Sequence, residues 1–193
     1  MSDEALNVKF QNKIFTFIKK NLKSFIVLLI LIIVILFSFV FYKNLQEKNN
    51  IKLSVQYTQA SILLKQKKRD ESQLLLVDII DKGHKFYSPL ALYFMIDNNL
   101  ESEPLKIIAF FDKILKINSI DKENLNLIKI KKAIFLFNID NEELIIKTFN
   151  PVINSNSVWR NMAIKLISDY FLSKAQKKKA DEYIQLLNNK KDK

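Results

Sequence analysis

The sequence predicts an all-α protein in which one N-terminal transmembrane helix is followed by an α-solenoid of about four helix pairs. Three observations predict this fold. A run without charge, Gly or Pro extends from Ser24 to Tyr42. Apolar residues then recur every three to four positions, which is helical spacing. The 193 residues include one glycine, whereas β-rich folds and phosphate-binding loops depend on glycine for their backbone angles.

The apolar run has the length of a membrane span. Residues 24–42 would extend about 28 Å as a helix, close to the ~30 Å hydrocarbon core of a bilayer. The apolar region of a signal peptide is shorter and ends in small residues at a cleavage site, but "KNLQEKNN" follows Tyr42. We therefore expect an uncleaved anchor. A buried helix of a soluble core is the alternative, although such helices are rarely apolar on every face.

Lysines on both sides of the span predict its orientation. More of them precede the span than follow it, which favours an N-terminus inside the cell. The preceding lysines are Lys9, Lys13, Lys19, Lys20 and Lys23, and the following ones are Lys43, Lys48 and Lys52. Residues 1–23 also place apolar side chains at helical spacing between these lysines. We expect a basic amphipathic helix there that lies on the inner leaflet, with a solvated leader as the alternative.

Residues 43–193 form the third predicted region, and their pattern repeats. Small residues mark an anchor position in four successive helix hairpins, and large apolar residues follow three, sixteen and nineteen positions later. The anchors are Ala60, Ala91, Ala133 and Ser168. A small residue lets the second helix approach the first, and large residues fill the seam. The anchor spacings scatter around the period of about 34 residues of a tetratricopeptide repeat, so we expect tetratricopeptide-like (TPR-like) pairs, with an irregular helical bundle as the alternative.

Local signals mark helix boundaries within this region. Gly83 is suited to end a helix in a left-handed conformation, and Pro104 is suited to the first turn of the next helix. Asp121 is a predicted N-cap, and Pro151 should kink or end the sixth helix. Polar breaks at residues 68–70, 83–85, 98–102, 118–122, 138–141, 154–157 and 174–178 predict about eight helices.

Composition and motifs give no support for catalysis. There is no cysteine and a single histidine, His84, so thiolate metal sites and Cys/His nucleophile pairs are excluded. One glycine excludes P-loop and dinucleotide fingerprints. The net charge of +11 could attract nucleic acid, but only Arg69 and Arg160 are arginines, the residue type that usually reads phosphates and bases. We therefore expect no enzyme activity, cofactor, metal, nucleic acid or small-molecule substrate, although a hydrolase that uses carboxylates stays an alternative.

A binding surface is the remaining hypothesis. In stacked helix pairs the first helices line the concave side, and the positions around each anchor place apolar residues there. Flexible Met and aromatic side chains suit adaptable recognition of apolar segments. The alternative is that a short array closes and buries these residues as core. The predicted concave residues are Tyr57, Leu64, Leu92, Met95, Ile130, Ile134 and Phe137.

The two ends of the chain resemble a known family. "MSDEAL", a single anchor after residue 23 and "FNPVINSNSVWRNMAIKLISDYFLSKAQKKKADEYIQLL" are similar to the membrane-anchored, TPR-like family of ancillary Sec translocon subunits in its alphaproteobacterial form. This chain is rich in Lys, Ile and Asn where that family is usually rich in Ala. The positions that match the family motif are Pro151, Trp159, Arg160, Ala163, Leu166 and Ala180.

The resemblance implies a single-pass protein of the bacterial inner membrane with a short cytoplasmic N-terminus and a periplasmic repeat domain. It also implies partners in the Sec translocon and among periplasmic chaperones, at the point where exported chains emerge. An envelope-assembly or cell-division scaffold is the alternative function. Two roles also stay open: Trp159 as a core residue or a partner contact, and Arg160 as a cap on helix carbonyls or a partner of an acid.

Overall fold

The computed structural model describes residue 16 and residues 19–188, and its regular elements in these ranges are all helices, as predicted. The predicted breaks near residues 68, 83, 100, 120, 140, 155 and 175 all separate consecutive helices. The eight helices are α1 (Leu22–Lys65), α2 (Arg69–Asp81), α3 (Tyr87–Asp97), α4 (Pro104–Ile114), α5 (Lys122–Phe137), α6 (Glu142–Ile153), α7 (Arg160–Ser173) and α8 (Lys177–Asn188).

Helix α1 contains the predicted span and is long and apolar enough to cross a membrane. The most apolar window has a mean hydropathy of 3.3, and none of it is buried within the described chain. The large apolar side chains of residues 26–42 are all exposed, with Phe37 74% exposed. Of the predicted basic helix at residues 1–23, the structure describes only Thr16 and residues 19–23, so that prediction lies mostly outside the described residues.

The chain divides into two compact units, of which the first ends at Lys52 and the second begins at Leu53. In the second unit all four predicted anchors are at most 1% exposed. Hydrogen bonds confirm two of the predicted helix hairpins. The Ser72 hydroxyl of α2 donates to the Ala60 carbonyl of α1 at 2.8 Å, and the Ser168 hydroxyl of α7 donates to the Ala180 carbonyl of α8 at 3.1 Å. The second unit is therefore helical repeat-like.

The turn inside each hairpin contains one residue in the left-handed conformation. These residues are Lys67 (φ 64°), Asn99 (φ 50°), Asp140 (φ 54°) and Ala175 (φ 57°). In three of the four turns the amide that follows this residue donates to a carbonyl five positions earlier, which satisfies the end of the first helix. Gly83, with φ 62°, ends α2 between two hairpins as predicted.

The other predicted boundaries are also confirmed. Pro104 is the first residue of α4, where its missing N–H costs nothing. The Asp121 carboxylate accepts the Asn124 amide at 3.0 Å and caps α5. Helix α6 ends two residues after Pro151. One residue departs from the packing pattern: Ile184 of α8 is 39% exposed, because no further hairpin of the described chain covers this last helix.

Two hydrophobic cores fill the second unit. The first core is formed by the first two hairpins and includes Leu53, Leu76 and Phe111. The second core is formed by the last two hairpins and includes Phe149 and Phe171. Helix α5 contributes to both cores, since Ile128 belongs to the first and Ile130 to the second. The domain therefore consists of two halves that meet along α5.

Candidate protein-interaction groove

The structure buries much of the predicted concave surface. Leu92, Met95 and Ile130 are at most 1% exposed and belong to the two cores. Tyr57, Leu64 and Phe137 are half-buried and pack against the same cores. Ile134 is the exception, with 40% of its surface exposed. Leu92, Met95 and Ile130 are therefore core residues, as in the alternative given for the predicted concave surface.

Aromatic pairs close the two outer seams between neighbouring first helices. In the first seam, between α1 and α3, the rings of Tyr57 and Phe94 meet edge to face at 5.6 Å. In the third seam, between α5 and α7, the rings of Phe137 and Tyr170 stack at 4.9 Å. The Tyr170 hydroxyl also donates to Asp140 at 2.9 Å. In the outer seams these aromatic residues therefore contact one another.

The middle seam, between α3 and α5, is open. Two depressions of about 180 and 200 Å³ lie along it and share Tyr93 as a common wall. The two depressions together are called the middle-seam groove. The first depression is lined by Lys85, Phe86, Pro89, Leu90, Tyr93, Asn124, Leu127 and Ile128. The second is lined by Tyr93, Ile96, Asp97, Phe111, Lys131, Ile134, Phe135 and Asn138.

Charged groups flank the apolar floor of the groove. Lys131 Nζ lies 5.6 Å from the centroid of the Tyr93 ring, within the range of a cation–π contact. Burial raises the pKa of Tyr93 to about 12, so its hydroxyl stays protonated at neutral pH. Burial, and secondarily the charge of Asp97, raise the pKa of Tyr57 in the neighbouring first seam. The groove thus offers apolar walls, one neutral phenol and a few exposed charges.

The back of the middle seam is closed by α4. Lys132 of α5 is only 6% exposed, and its ammonium donates to the Asp112 carboxylate of α4 at 2.6 Å. The rings of Phe111 and Phe135 lie 6.1 Å apart beside it. A buried lysine needs such a partner because its desolvated charge is costly when unpaired. The two halves are therefore joined behind the groove, while its front is open.

The family-matching residues near the C-terminus have structural roles in this chain. Arg160 Nε donates to the Ile153 carbonyl at 2.9 Å, and its Nη2 donates to the Leu186 carbonyl at 2.8 Å. Arg160 therefore caps carbonyls near the ends of α6 and α8, which is one of its two predicted roles. Trp159 is half-buried against the second core.

The remaining members of this motif lie in or beside the same region. Ala163 and Ala180 are buried in the second core, Leu166 packs against it, and Pro151 lies in the last turn of α6. The Glu123 carboxylate holds the preceding loop by accepting from the Ser157 hydroxyl at 2.6 Å. The motif therefore fastens the last hairpin to the rest of the second half.

Tyr93, Ile96 and Leu127 are groove residues that the sequence reasoning missed. On both α3 and α5 the groove is lined by positions two before, two after and five after the anchor. The predicted concave residues stand three before, one after and four after an anchor, as Ile130, Ile134 and Phe137 do around Ala133. The predicted face is therefore rotated by about one residue relative to the groove. The aromatic pair Tyr93 and Phe135, both two positions after an anchor, is the signal that could have corrected it.

His84 is a cap on the helix that forms one wall of the groove. Its Nδ1 accepts the backbone amides of Phe86 and Tyr87 at 3.2 and 3.1 Å. Burial and the neighbouring Lys85 lower the pKa of His84, which favours the neutral ring that can accept these bonds. Within residues 16 and 19–188, no three His, Asp or Glu side chains come close enough together to hold a metal ion.

Comparisons with known proteins add no relative to this picture. No protein-family model matches the chain, and neither do curated proteins or solved structures. The class that the fold defines is that of a helical repeat-like protein with one candidate membrane-spanning helix near its N-terminus.

Proposed function

We propose that this protein is a non-enzymatic, membrane-tethered interaction module whose middle-seam groove binds a segment of another protein. One observation supports this above others: the middle seam combines two open, mostly apolar depressions with charged side chains that form no ion pair among the described residues, whereas aromatic pairs meet across the outer seams. Helix α1 supplies the tether as a single uncleaved span. The protein would thus hold a binding surface at a membrane.

The proposed architecture is a TPR-like α-solenoid. Support comes from four buried anchors at matching positions and from four hairpin turns that each contain a left-handed residue. Repeated hairpins of this kind stack so that their first helices share one side, which is the usual binding side of such proteins. The groove between α3 and α5 lies on that side in the proposed arrangement.

The dimensions of the groove favour side chains over a cofactor. Each depression holds about 180–200 Å³, whereas pockets for small ligands usually measure about 300–1,000 Å³. Asp97 is the one acidic residue that lines these two depressions, and a hydrolase that uses carboxylates needs at least two such groups in one place. Binding of protein side chains is therefore the better proposal.

The proposed setting is the Sec translocon of a bacterial inner membrane, with the N-terminus in the cytoplasm and residues 43–193 in the periplasm. This part rests on the resemblance of the two chain ends to ancillary translocon subunits and on the lysines before the span. In that setting the groove would engage periplasmic chaperones or chains that emerge from the translocon.

Affinity purification of the full chain from its native membranes tests this setting. We expect translocon subunits and periplasmic chaperones to co-purify, and a reporter fused after Lys193 to be active in the periplasm. A cytoplasmic reporter signal would contradict the topology. Absence of export partners together with midcell localisation would contradict the translocon role and favour a cell-division scaffold.

A further inference from the structure

We infer that the middle-seam groove binds an amphipathic helix that inserts two large apolar side chains seven residues apart and presents acidic residues beside the first and between the two. This inference rests on the proposed function and specifies the chemistry of the partner. It follows from the backbone of the groove walls, the spacing of the two depressions and the positions of two exposed lysines that form no ion pair in the described part of the chain.

The walls of the groove favour a helical partner. Both walls are α-helices, α3 and α5, whose backbone amides and carbonyls are bonded within each helix. An extended peptide would find no free edge with which to pair its own backbone groups, and unpaired polar groups are costly at an apolar surface. A helix satisfies its own backbone bonds and needs only side-chain contacts, so the groove suits a third helix laid between the two walls.

The spacing of the two depressions sets the register of this helix. Leu127 lines the first depression and Ile134 lines the second, seven residues further along α5. On the opposite wall Leu90 and Asp97 are separated by the same interval. Seven residues of helix extend about 10 Å. A partner helix that lies along the groove therefore reaches both depressions with side chains at positions i and i+7, which share one face.

The exposed charges set the polarity of the partner. Lys85 stands at the start of the first depression and Lys131 stands near Tyr93 where the two depressions meet. Among the described residues neither lysine forms an ion pair. Asp97, at the far end of the second depression, is exposed and forms no ion pair in the same part of the chain. On the partner helix, charge complementarity thus predicts acidic residues beside the first inserted apolar side chain and between the two. It predicts a basic residue beyond the second.

A set of synthetic helices tests this inference on the full chain in lipid nanodiscs. The probe is a fluorescein-labelled, alanine-based helix of ~20 residues with leucines seven positions apart, glutamates beside the first leucine and between the two, and an arginine beyond the second. One control peptide places the leucines five positions apart, and another exchanges the glutamates for lysines. Fluorescence anisotropy measures each affinity, and we expect both controls to bind about tenfold more weakly or worse.

Matched variants of the protein connect the effect to the groove. Ile134→Glu should weaken binding of the acidic probe about tenfold or more because it removes the wall of the second depression. Leu105→Glu is the control, since Leu105 is 77% exposed on α4 and does not line the groove. The double variant Lys85→Glu and Lys131→Glu should reverse the charge preference, so that it binds the lysine-bearing peptide better than the acidic one.

Each outcome decides the inference. Equal affinity for the two leucine spacings, an unchanged charge preference in the double lysine variant, or equal effects of the two glutamate substitutions would overturn it. If Ile134→Glu instead converted a dimer to a monomer and no peptide bound, the occupant would be a second copy of the chain. Export partners that co-purify and are lost in Ile134→Glu, without peptide selectivity, would sustain the proposed function and overturn this inference alone.

Discussion

The outer seams and the middle seam of the helical domain are built from equivalent first helices but differ in what fills them. Tyr57 with Phe94, and Phe137 with Tyr170, occupy the outer seams as aromatic pairs. In the middle seam Tyr93 faces Lys131 and two depressions are left open. The comparison teaches that equivalent helices can either pack through an aromatic pair or leave an open depression, depending on which side chains meet across the seam.

The side-chain links between neighbouring hairpins also distinguish the outer seams from the middle seam. Arg69 and Gln73 link the first hairpin to the turn of the second, at residues 98–101. Ion pairs of Lys174 with Asp140 at 2.7 Å and of Lys179 with Glu142 at 2.6 Å link the third and fourth hairpins. In the described part of the chain, no hydrogen bond or ion pair joins the second turn to the third. Each half is therefore tied within itself, and the groove lies between the halves.

Truncation of one tyrosine in each kind of seam should give the largest difference in stability between the outer and middle seams. Tyr170→Ala removes a ring that is 5% exposed, so we expect a loss of about 3 kcal/mol in the free energy of unfolding. Tyr93→Ala removes a half-buried ring from an open groove and should cost about 1 kcal/mol. Urea unfolding of the full chain in micelles, followed through the fluorescence of Trp159, its only tryptophan, measures both. Equal losses would mean that the middle seam is core.

Replacement of each arginine by lysine tests how the halves are tied. Arg160→Lys should cost about 1–2 kcal/mol because one ammonium cannot reach the Ile153 and Leu186 carbonyls together. Arg69→Lys should cost less, since Arg69 binds two adjacent carbonyls through one nitrogen. Hydrogen exchange should quicken in α6 and α8 for the first variant and at residues 98–101 for the second. Faster exchange across both halves in either variant would contradict the assignment of each arginine to contacts within one half.

The left-handed residues of the turns predict smaller effects of opposite sign. Ala175→Gly should raise the free energy of unfolding by about 0.5 kcal/mol, because relief of left-handed strain outweighs the entropy that glycine loses on folding. Gly83→Ala should lower it by about 1 kcal/mol. An added Cβ at Gly83 would meet nothing closer than Ile117 Cγ1 at 3.9 Å, so the cost is conformational. Thermal melts of the full chain measure both, and a neutral Gly83→Ala would contradict the assignment of strain.

Acidification should have the smallest effect, at the helix that forms one wall of the groove. The pKa of His84 is lower in the folded state than the ordinary value of 6.5, so the unfolded chain binds the proton more readily. The contribution of His84 to stability is therefore complete above pH 6.5 and is lost as the pH falls through the lower, folded pKa.

Melting temperatures measured between about pH 7.5 and about pH 5 check this prediction. A modest decrease should be seen in the unsubstituted chain and should vanish in His84→Asn, whose amide oxygen can accept the same amides at any pH. The carboxylates of Asp140 and Glu142 contribute in a separate window, because their lysine partners hold their pKa values below the ordinary range. An equal decrease in His84→Asn would assign the effect to another group.

Local sequence signals were sufficient for the helices and their ends. Pro104, Asp121 and Gly83 act through their own backbone or side chain within a few residues, so their roles can be read without knowledge of the tertiary structure. The small anchors Ala60, Ala91, Ala133 and Ser168 were also predictable, because close approach of two helices excludes large side chains at the crossing point.

The groove itself was only partly predictable. Leu92 and Met95 are as apolar as Ile134, and composition does not distinguish a core residue from a groove residue. The rotation of α3 and α5 and the distance between them decide which residues line the groove. Both depend on side chains of α4 such as Phe111 and on the ion pair of Lys132 with Asp112. These contacts join residues about twenty positions apart, and no local pattern in the sequence specifies them.

Site-specific photocrosslinking in native membranes tests the central claim most directly. A photoreactive phenylalanine derivative would replace Ile134 in the groove and, in a matched variant, Leu105 on the exposed face of α4. We predict a discrete protein adduct from position 134 that is absent from position 105, because only the groove holds a partner segment. Absence of an adduct at position 134, or the same adducts from both positions, would contradict the assignment of the middle seam as the binding site.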